Sequence, residues 1–390
     1  MTHPQEIEAA TRFAEASNGF GFDLYGELRE RSGNLAMSPA SLSIAFAMTW
    51  PGARGETAAE MQRVLHFLGS PEQTMADAGR LTKLLESPSR PLKLSIANRL
   101  FGEKTYTFEE HYLASVEAAF GAGLEPVDFA GAADNARETI NAWVAEKTAK
   151  RITNLIPDGG LSSLTRLVLV NAVYFLADWL RPFENERTHT SAFFPNPRDN
   201  VLAEMMRQTG SFKYGESGNA NLLELPYEGG EMSMLFALPR ERDGLADLEQ
   251  SLSAATVAAW AAAMSPTHVN VTLPKFEVNP AAAFDLGTSL TKLGMKQAFN
   301  GSTADFTAMA NPPSAAERLA ISKVFQKAFV KVDEKGTEAA AATAVEMRVR
   351  SAPDFADTSF TADHPFLYFI RDNDTGLVLF MGRVTDPTTT

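Results

Sequence analysis

The sequence predicts an α+β fold built around a large, mostly antiparallel sheet. Three observations predict it. Helical periodicity fills the first third, strand-length apolar runs fill much of the remainder, and no linker or internal repeat divides the 390 residues. Length alone allows two domains or one large one, since domains usually hold about 100–200 residues. The undivided pattern favours one domain over 1–390.

The elements follow in order. Ile7, Ala10, Phe13 and Ala14 recur at helical spacing, and Phe22, Tyr25 and Leu28 resume it after Gly19 and Gly21. Ser38-Pro39 reads as an N-cap with proline in the first turn, opening a helix that stops at Pro51-Gly52. Thr57-Ala58-Ala59-Glu60 has the form of a capping box that would start the next helix. Ile140, Trp143, Val144 and Lys147 share one face of a further helix, and Pro157 to Gly160 forms a turn.

Strands come next. The run 165–175 is almost continuously apolar, as for a strand covered on both faces. Segments 232–239, 269–278 and 318–334 have period-two features, and the last shifts its alternation between Ile321 and Ala328, which suggests a bulge or bend. PFLYFI and LVLFMGRV, joined by RDNDTG, read as a hairpin.

Composition removes several functions. With 35 basic against 48 acidic residues the formal charge is −13, unlike proteins that bind phosphate backbones through clustered Lys and Arg. The chain has no cysteine, so disulfides, thiolate metal sites and cysteine nucleophiles are excluded. No run reaches the roughly 18–20 apolar residues of a membrane span; Leu167 to Leu180 is interrupted by Asn171 and Asp178. The acidic start, MTHPQEIEAATRFAEAS, lacks a signal peptide's basic and apolar regions, so the expected location is cytoplasmic, or secreted if a longer precursor was trimmed.

Catalytic signatures fail. GESGN at 215–219 lacks the second glycine of a nucleophile elbow, no P-loop or H-E-x-x-H occurs, and the six histidines are scattered. His364 reads as structural, and Met205-Met206 as core. No catalytic residue, metal site or cofactor is assigned.

One segment stands apart. From Glu334 to Ser351 the chain reads EKGTEAAAATAVEMRVRS, and an alanine-rich helix is its plain interpretation. The residues also sort with period two: Thr337, Ala339, Ala341, Thr343, Val345 and Met347 on one side, Glu338, Ala340, Ala342, Ala344, Glu346 and Arg348 on the other. No proline interrupts until Pro353, so every N–H is free for a ladder. Such a piece could be a loop in one state and a central strand in another.

Here the sequence resembles the serpin family, over roughly Phe20 to Pro387. The hinge-like EKGTEAAAATA is joined in family order by NLAMSPASLSIAFAMTWPGARGET, INAWVAEKT, IPDGGLSSLTRLVLVNAVYF, ELPYEGGEMSMLFALP, LPKFEV, LGM with ADFTAM, and DHPFLYFIRDNDTGLVLFMGRV. The resemblance implies three β-sheets, eight or nine helices and an exposed reactive-centre loop, with hinge and loop within 334–363. It implies a suicide inhibitor of proteases, cut in that loop, which then inserts as a new strand.

Carried over residue by residue, the hinge is Glu334, Gly336, Thr337, Glu338, Ala339, Ala340, Ala341, Ala342 and Thr343. Family spacing from Glu334 places the reactive bond at Arg350-Ser351, with Arg348 as the alternative because the stretch to His364 is longer than in many members. An arginine there suits a trypsin-like serine protease, whose pocket carboxylate pairs with guanidinium; an Arg-specific cysteine protease could also accept it. A non-inhibitory serpin, acting as a binding or structural protein or as a plain protease substrate, is the alternative. Ser38, Ser41 and Asn171 match the polar cluster beneath the point where strands part, and Gln326 stands where the family frequently has histidine. Trp179, Lys275 and Glu334 match the place where insertion starts, with Lys275 and Glu334 as an ion pair. The loop is expected to be exposed from Thr337 onward while uncut. A monomer is expected. Heparin is not an expected partner, because Arg80 and Lys83 are mixed with Glu72, Asp77 and Glu86.

Overall fold

The computed structural model describes residues 4–121, 123–312, 314, 317–337 and 356–389. In chain order the elements are α1 (Pro4–Leu28), β1 (Leu35–Met37), α2 (Pro39–Thr49), α3 (Gly55–Val64), α4 (Pro71–Leu85), β2 (Lys93–Glu103), α5 (Glu110–Phe120), β3 (Glu125–Val127) and α6 (Phe129–Lys147). Then come β4 (Leu167–Asp178), β5 (His189–Phe193), β6 (Val201–Ser217), β7 (Ala220–Pro226), β8 (Met232–Pro239), α7 (Leu245–Gln250), α8 (Ala254–Ala263), β9 (Ser265–Pro274), β10 (Phe276–Val278), β11 (Phe284–Asp285) and α9 (Gly287–Leu293). The last strands are β12 (Lys323–Ala328), β13 (Val330–Val332), β14 (Gly336–Thr337), β15 (Thr358–Thr361), β16 (Phe366–Asp372) and β17 (Val378–Val384).

Helix α2 starts as its sequence indicates. Ser38 caps it by accepting from the Ser41 N–H, Pro39 occupies the first turn, and all eleven residues are buried. Helix α1 differs from expectation by running unbroken through Gly19 and Gly21. At Gly21 a Cβ would lie 2.7 Å from Pro39 Cγ, so this glycine serves the close crossing of α1 over α2 and does not break the helix. The expected capping box also fails. Helix α3 begins at Gly55, before Thr57, whose hydroxyl accepts from the Asp305 N–H instead; the Glu60 carboxylate accepts from the N–H groups of Lys296 and Gln297.

Among the described residues the strands form two hydrogen-bonded sheets, of nine and eight strands. The expected count of three becomes two because the 17-residue β6 pairs in turn with β5, β9 and β7, and so fuses two sheets into one. The eight-stranded sheet carries the candidate site. At its centre β4 pairs antiparallel with β2 along one edge and parallel with β12 along the other.

Alternate residues of β4 enter two separate cores. Leu167, Leu169, Val173, Phe175 and Ala177 pack in the main core with α1, α2 and the nine-stranded sheet; Val168, Val170 and Ala172 pack with Ile140 and Val144 of α6. Both faces are covered, which is why the run carries no polar alternation. Through β12 and β13 the alternation also holds without a bulge. Val324, Ala328, Val330 and Val332 enter the main core, while Phe325 and Phe329 face α6. The irregular alternation read in the sequence falls ahead of the strand, where Ile321 lies in coil.

Candidate functional site

Two clusters lie along the seam between β4 and the strands that follow it. The upper one forms where β14 sits between β4 and β13, with Thr337 opposite Ala177 on one side and Val332 on the other. Thr337 is fully buried, which corrects the expectation that the loop is exposed from this residue onward. The reason is local: its hydroxyl hydrogen-bonds the buried phenol of Tyr227. Burial pushes that phenol far above its ordinary pKa, so it stays a neutral hydroxyl able to donate or accept. Gly336 lies against the Ala177 carbonyl and Asp178, and a Cβ there would stand 2.7 Å from Asp178 Cα. Only glycine allows the chain this close.

Trp179, Lys275 and Glu334 converge on the same spot. The Trp179 ring stacks on Tyr227 at 4.6 Å between centroids, and its indole N–H donates to the Asp333 carbonyl at 3.1 Å. Its backbone N–H donates to the Lys335 carbonyl at 2.6 Å, and that of Phe183 to the Glu334 carbonyl at 2.8 Å. The Glu334 carboxylate meets Lys275 Nζ at 2.8 Å and accepts from the Thr188 hydroxyl at 2.8 Å. Burial disfavours the charged carboxylate, but hydrogen bonds from Lys275 and Thr188 outweigh it and hold Glu334 below the usual carboxylate range. Nothing local in the sequence marks Tyr227 and Thr188: Thr188 lies in no patterned segment, and Tyr227, within ELPYEGGEMSMLFALP, shows no sign of its distant partner Thr337.

The lower cluster lies where β4 and β12 pair directly. Asn98 of β2, Asn171 of β4 and Gln326 of β12 occupy one rung across three strands. The Asn171 amide donates to the Ser41 hydroxyl and to Asn98 Oδ1. Ser41 donates to Asn98 Oδ1 at 2.9 Å, and Asn98 Nδ2 donates to the Ser41 carbonyl at 2.7 Å. Gln326 Nε2 donates to the Ser38 carbonyl and to Asn171 Oδ1, both at 2.8 Å. Ser38, Ser41, Asn171 and Gln326 are therefore together, and Asn98 joins them unforeseen. These buried amides tie β2, β4, β12 and the start of α2 together across the seam. Glu338 to Thr343, Arg350 and Ser351 lie outside the described residues.

At its upper end the sheet seam is already occupied by the chain's own hinge, which pairs with β4 on one side and β13 on the other. The model of the serpin (serine protease inhibitor) family matches residues 15–387, and the chain belongs to that family. Among curated relatives, human serpin B3 is 39% identical over 394 residues, covering 96% of this chain and 99% of its own length. Leukocyte elastase inhibitor of Sus scrofa is 40% identical over 391 residues, covering 96% of this chain and all of its own. Among solved structures, uncleaved ovalbumin superposes with a TM-score of 0.86 at 29% identity, over 96% of this chain and 100% of its own. Serpin48 of the insect Tenebrio molitor gives 0.82 at 33% identity, over 99% of each chain.

Proposed function

We propose that this serpin is an irreversible suicide-substrate inhibitor of trypsin-like serine proteases, cut after Arg350. The observation that carries the reading is β14, seated between β4 and β13 while β4 and β12 remain paired below it. The hinge is thus positioned to continue as a strand along a seam already begun. Small residues follow, Ala339 to Ala342, which can enter a sheet without displacing its neighbours.

In this mechanism the protease serine attacks the Arg350 carbonyl, forming an ester and releasing the new amino terminus at Ser351. The freed segment then inserts. About 14 residues would add roughly a dozen ladder bonds at a net 0.5–1.5 kcal/mol each, on the order of 10 kcal/mol. At about 3.3 Å per residue they span roughly 50 Å, enough to carry an attached protease away from its docked position. Arg350 supports a trypsin-like target, although several relatives are named for elastase. The roles of Trp179, Lys275 and Glu334 in starting insertion, and of Ser38, Ser41, Asn171 and Gln326 in gating it, belong to the same proposal.

Incubation with trypsin followed by denaturing electrophoresis tests it. A covalent complex should form, Arg350→Ala should abolish it, and the released peptide should begin at Ser351. A peptide beginning at Val349 assigns the bond to Arg348. Cleavage of the wild type with no detergent-stable complex overturns inhibition.

A further inference from the structure

Two Asn-Gly pairs occur in the chain, Asn18-Gly19 and Asn300-Gly301. Such a pair has its own chemistry, because the main-chain nitrogen after an asparagine can attack the side-chain amide and close a succinimide ring. Glycine leaves that nitrogen unshielded and its backbone free to rotate. Sequence does not rank the two pairs; the structure separates them.

Asn18 lies inside α1, and both ends of its amide are held. Nδ2 donates to the Gly376 carbonyl at 2.9 Å, and Oδ1 accepts from the Val378 N–H at 2.8 Å. Gly19 is packed as well, since a Cβ there would stand 3.0 Å from His66 Nδ1. Ring closure would have to turn this peptide out of the helix and break its tie to β17. Asn300 is the reverse case. It follows the short turn Gln297–Phe299, and residues 300–303 are exposed. Its Oδ1 accepts from the Ser302 N–H at 2.9 Å, while its Nδ2 has no hydrogen-bond partner among the described residues. The Gly301 N–H has none there either, and nothing lies within 4 Å of where a Gly301 Cβ would stand. Asn300 is extended (φ −95°, ψ 105°), which turns the Gly301 nitrogen away from the side-chain amide. Rotation about ψ brings them together and costs the bonds that the Asn300 carbonyl accepts from the Thr303 and Ala304 N–H groups. Those bonds close a surface turn, and opening a turn costs far less than opening a helix packed in the core.

We propose that Asn300 is a site of spontaneous deamidation, the Asn-Gly pair that the fold leaves able to react. The Gly301 nitrogen gives its proton to base and attacks Cγ of Asn300; the new N–C bond forms as the side-chain nitrogen leaves, protonated, as ammonia. Water then opens the succinimide at either carbonyl, leaving aspartate or its β-linked isomer. Water is the co-reactant, and nothing is oxidised or reduced. The aspartate keeps an oxygen for the Ser302 N–H, and the turn with it. The β-linked product adds a methylene to the main chain just ahead of the residue that holds the start of α3. There the Asp305 N–H donates to the Thr57 hydroxyl, and the Asp305 carbonyl accepts from the Arg54 N–H. The isomer therefore loosens α3, and water cannot reverse it.

The test is peptide mapping by mass spectrometry of the full-length chain aged at mildly alkaline pH, with isoaspartyl methyltransferase labelling the β-linked product. The peptide holding Asn300 should gain the mass difference between a carboxyl and an amide group, while the peptide holding Asn18 stays unchanged. Gly301 does not adopt a positive φ, so Gly301→Ala leaves the turn unstrained and should slow conversion severalfold. In guanidinium chloride both pairs should convert at similar rates, because only the fold separates them. Conversion at Asn18 as fast as at Asn300 in the folded chain would overturn the proposal, as would a Gly301→Ala variant that converts at the wild-type rate. A folded chain that keeps Asn300 while the unfolded chain loses it would show that the turn stays closed, and would overturn it equally. The β-linked fraction should melt about 2–4 °C below the fresh chain and Asn300→Asp should match it; equal midpoints would remove the effect on α3.

Discussion

Glu334 ties three segments together through one carboxylate: the hinge that carries it, Lys275 beyond β9, and Thr188 ahead of β5. Burial raises its pKa and the two hydrogen bonds lower it further, leaving the folded value below the unfolded one. A carboxyl depressed in this way contributes stability above its unfolded pKa, about 4.3, and loses it as pH falls through the lower folded value. The uncut wild type should therefore lose thermal stability below about pH 4.5, and Glu334→Gln should flatten that part of the profile. Identical profiles from differential scanning fluorimetry at pH 3–7 would contradict the assignment. At this scale the sequence was uneven. The Lys275–Glu334 pair was legible through the family pattern, whereas Asn98 was not, since an amide in an alternating strand looks like an ordinary solvent-facing residue. Only pairing with Asn171 distinguishes it.

Among whole elements, those with a strong local signal were legible. The unbroken apolar run of β4, the β16–β17 hairpin and the Ser38 cap of α2 follow from periodicity and capping chemistry alone. What failed depended on distant partners. The Thr57–Glu60 motif bonds residues some 240 positions away, and Gly21 accommodates another helix, neither of which local pattern can reveal. Helix α6 shows the same dependence at its start. The buried Glu103 carboxylate, at the end of β2, accepts from the Phe129 and Ala130 N–H groups at 2.8 and 2.9 Å. Those N–H groups have no acceptor within the helix, and the negative charge suits its N-terminal end. Glu103→Ala should cost the intact protein about 2–3 kcal/mol in urea unfolding, and Glu103→Gln, which keeps one acceptor oxygen, about 1 kcal/mol. A loss under 0.5 kcal/mol for alanine, roughly that of a neutral surface change, would show that water replaces the clamp.

For the molecule as a whole, the proposed insertion between β4 and β12 requires two ordered states of one sequence. In the uncut state Gly336 and Thr337 have joined the sheet, and under the proposed mechanism cleavage adds the ladder bonds of the residues that follow. Cleavage of the wild type within the loop should therefore raise the thermal midpoint substantially, since the inserted strand pairs along both β4 and β12 and so replaces the bonds between them while adding roughly a dozen of its own. Thr337→Arg addresses the first step. Because Thr337 is already buried against Tyr227, the substitution acts on both states and not on the cleaved one alone. In the uncut chain the arginine can leave the sheet by withdrawing two residues, at the cost of the Tyr227 bond and of two rungs. The uncut midpoint should fall by only a few degrees. In the cleaved chain, full insertion would draw the guanidinium into the main core without a carboxylate, at a cost of several kcal/mol. The variant should gain far less on cleavage than the wild type and should be cut by trypsin without trapping it, because insertion has to outrun hydrolysis of the ester. A Thr337→Arg protein that gains as much stability as the wild type and still forms the covalent complex would show that the strand need not pass through this position, and the route along β4 and β12 would fall.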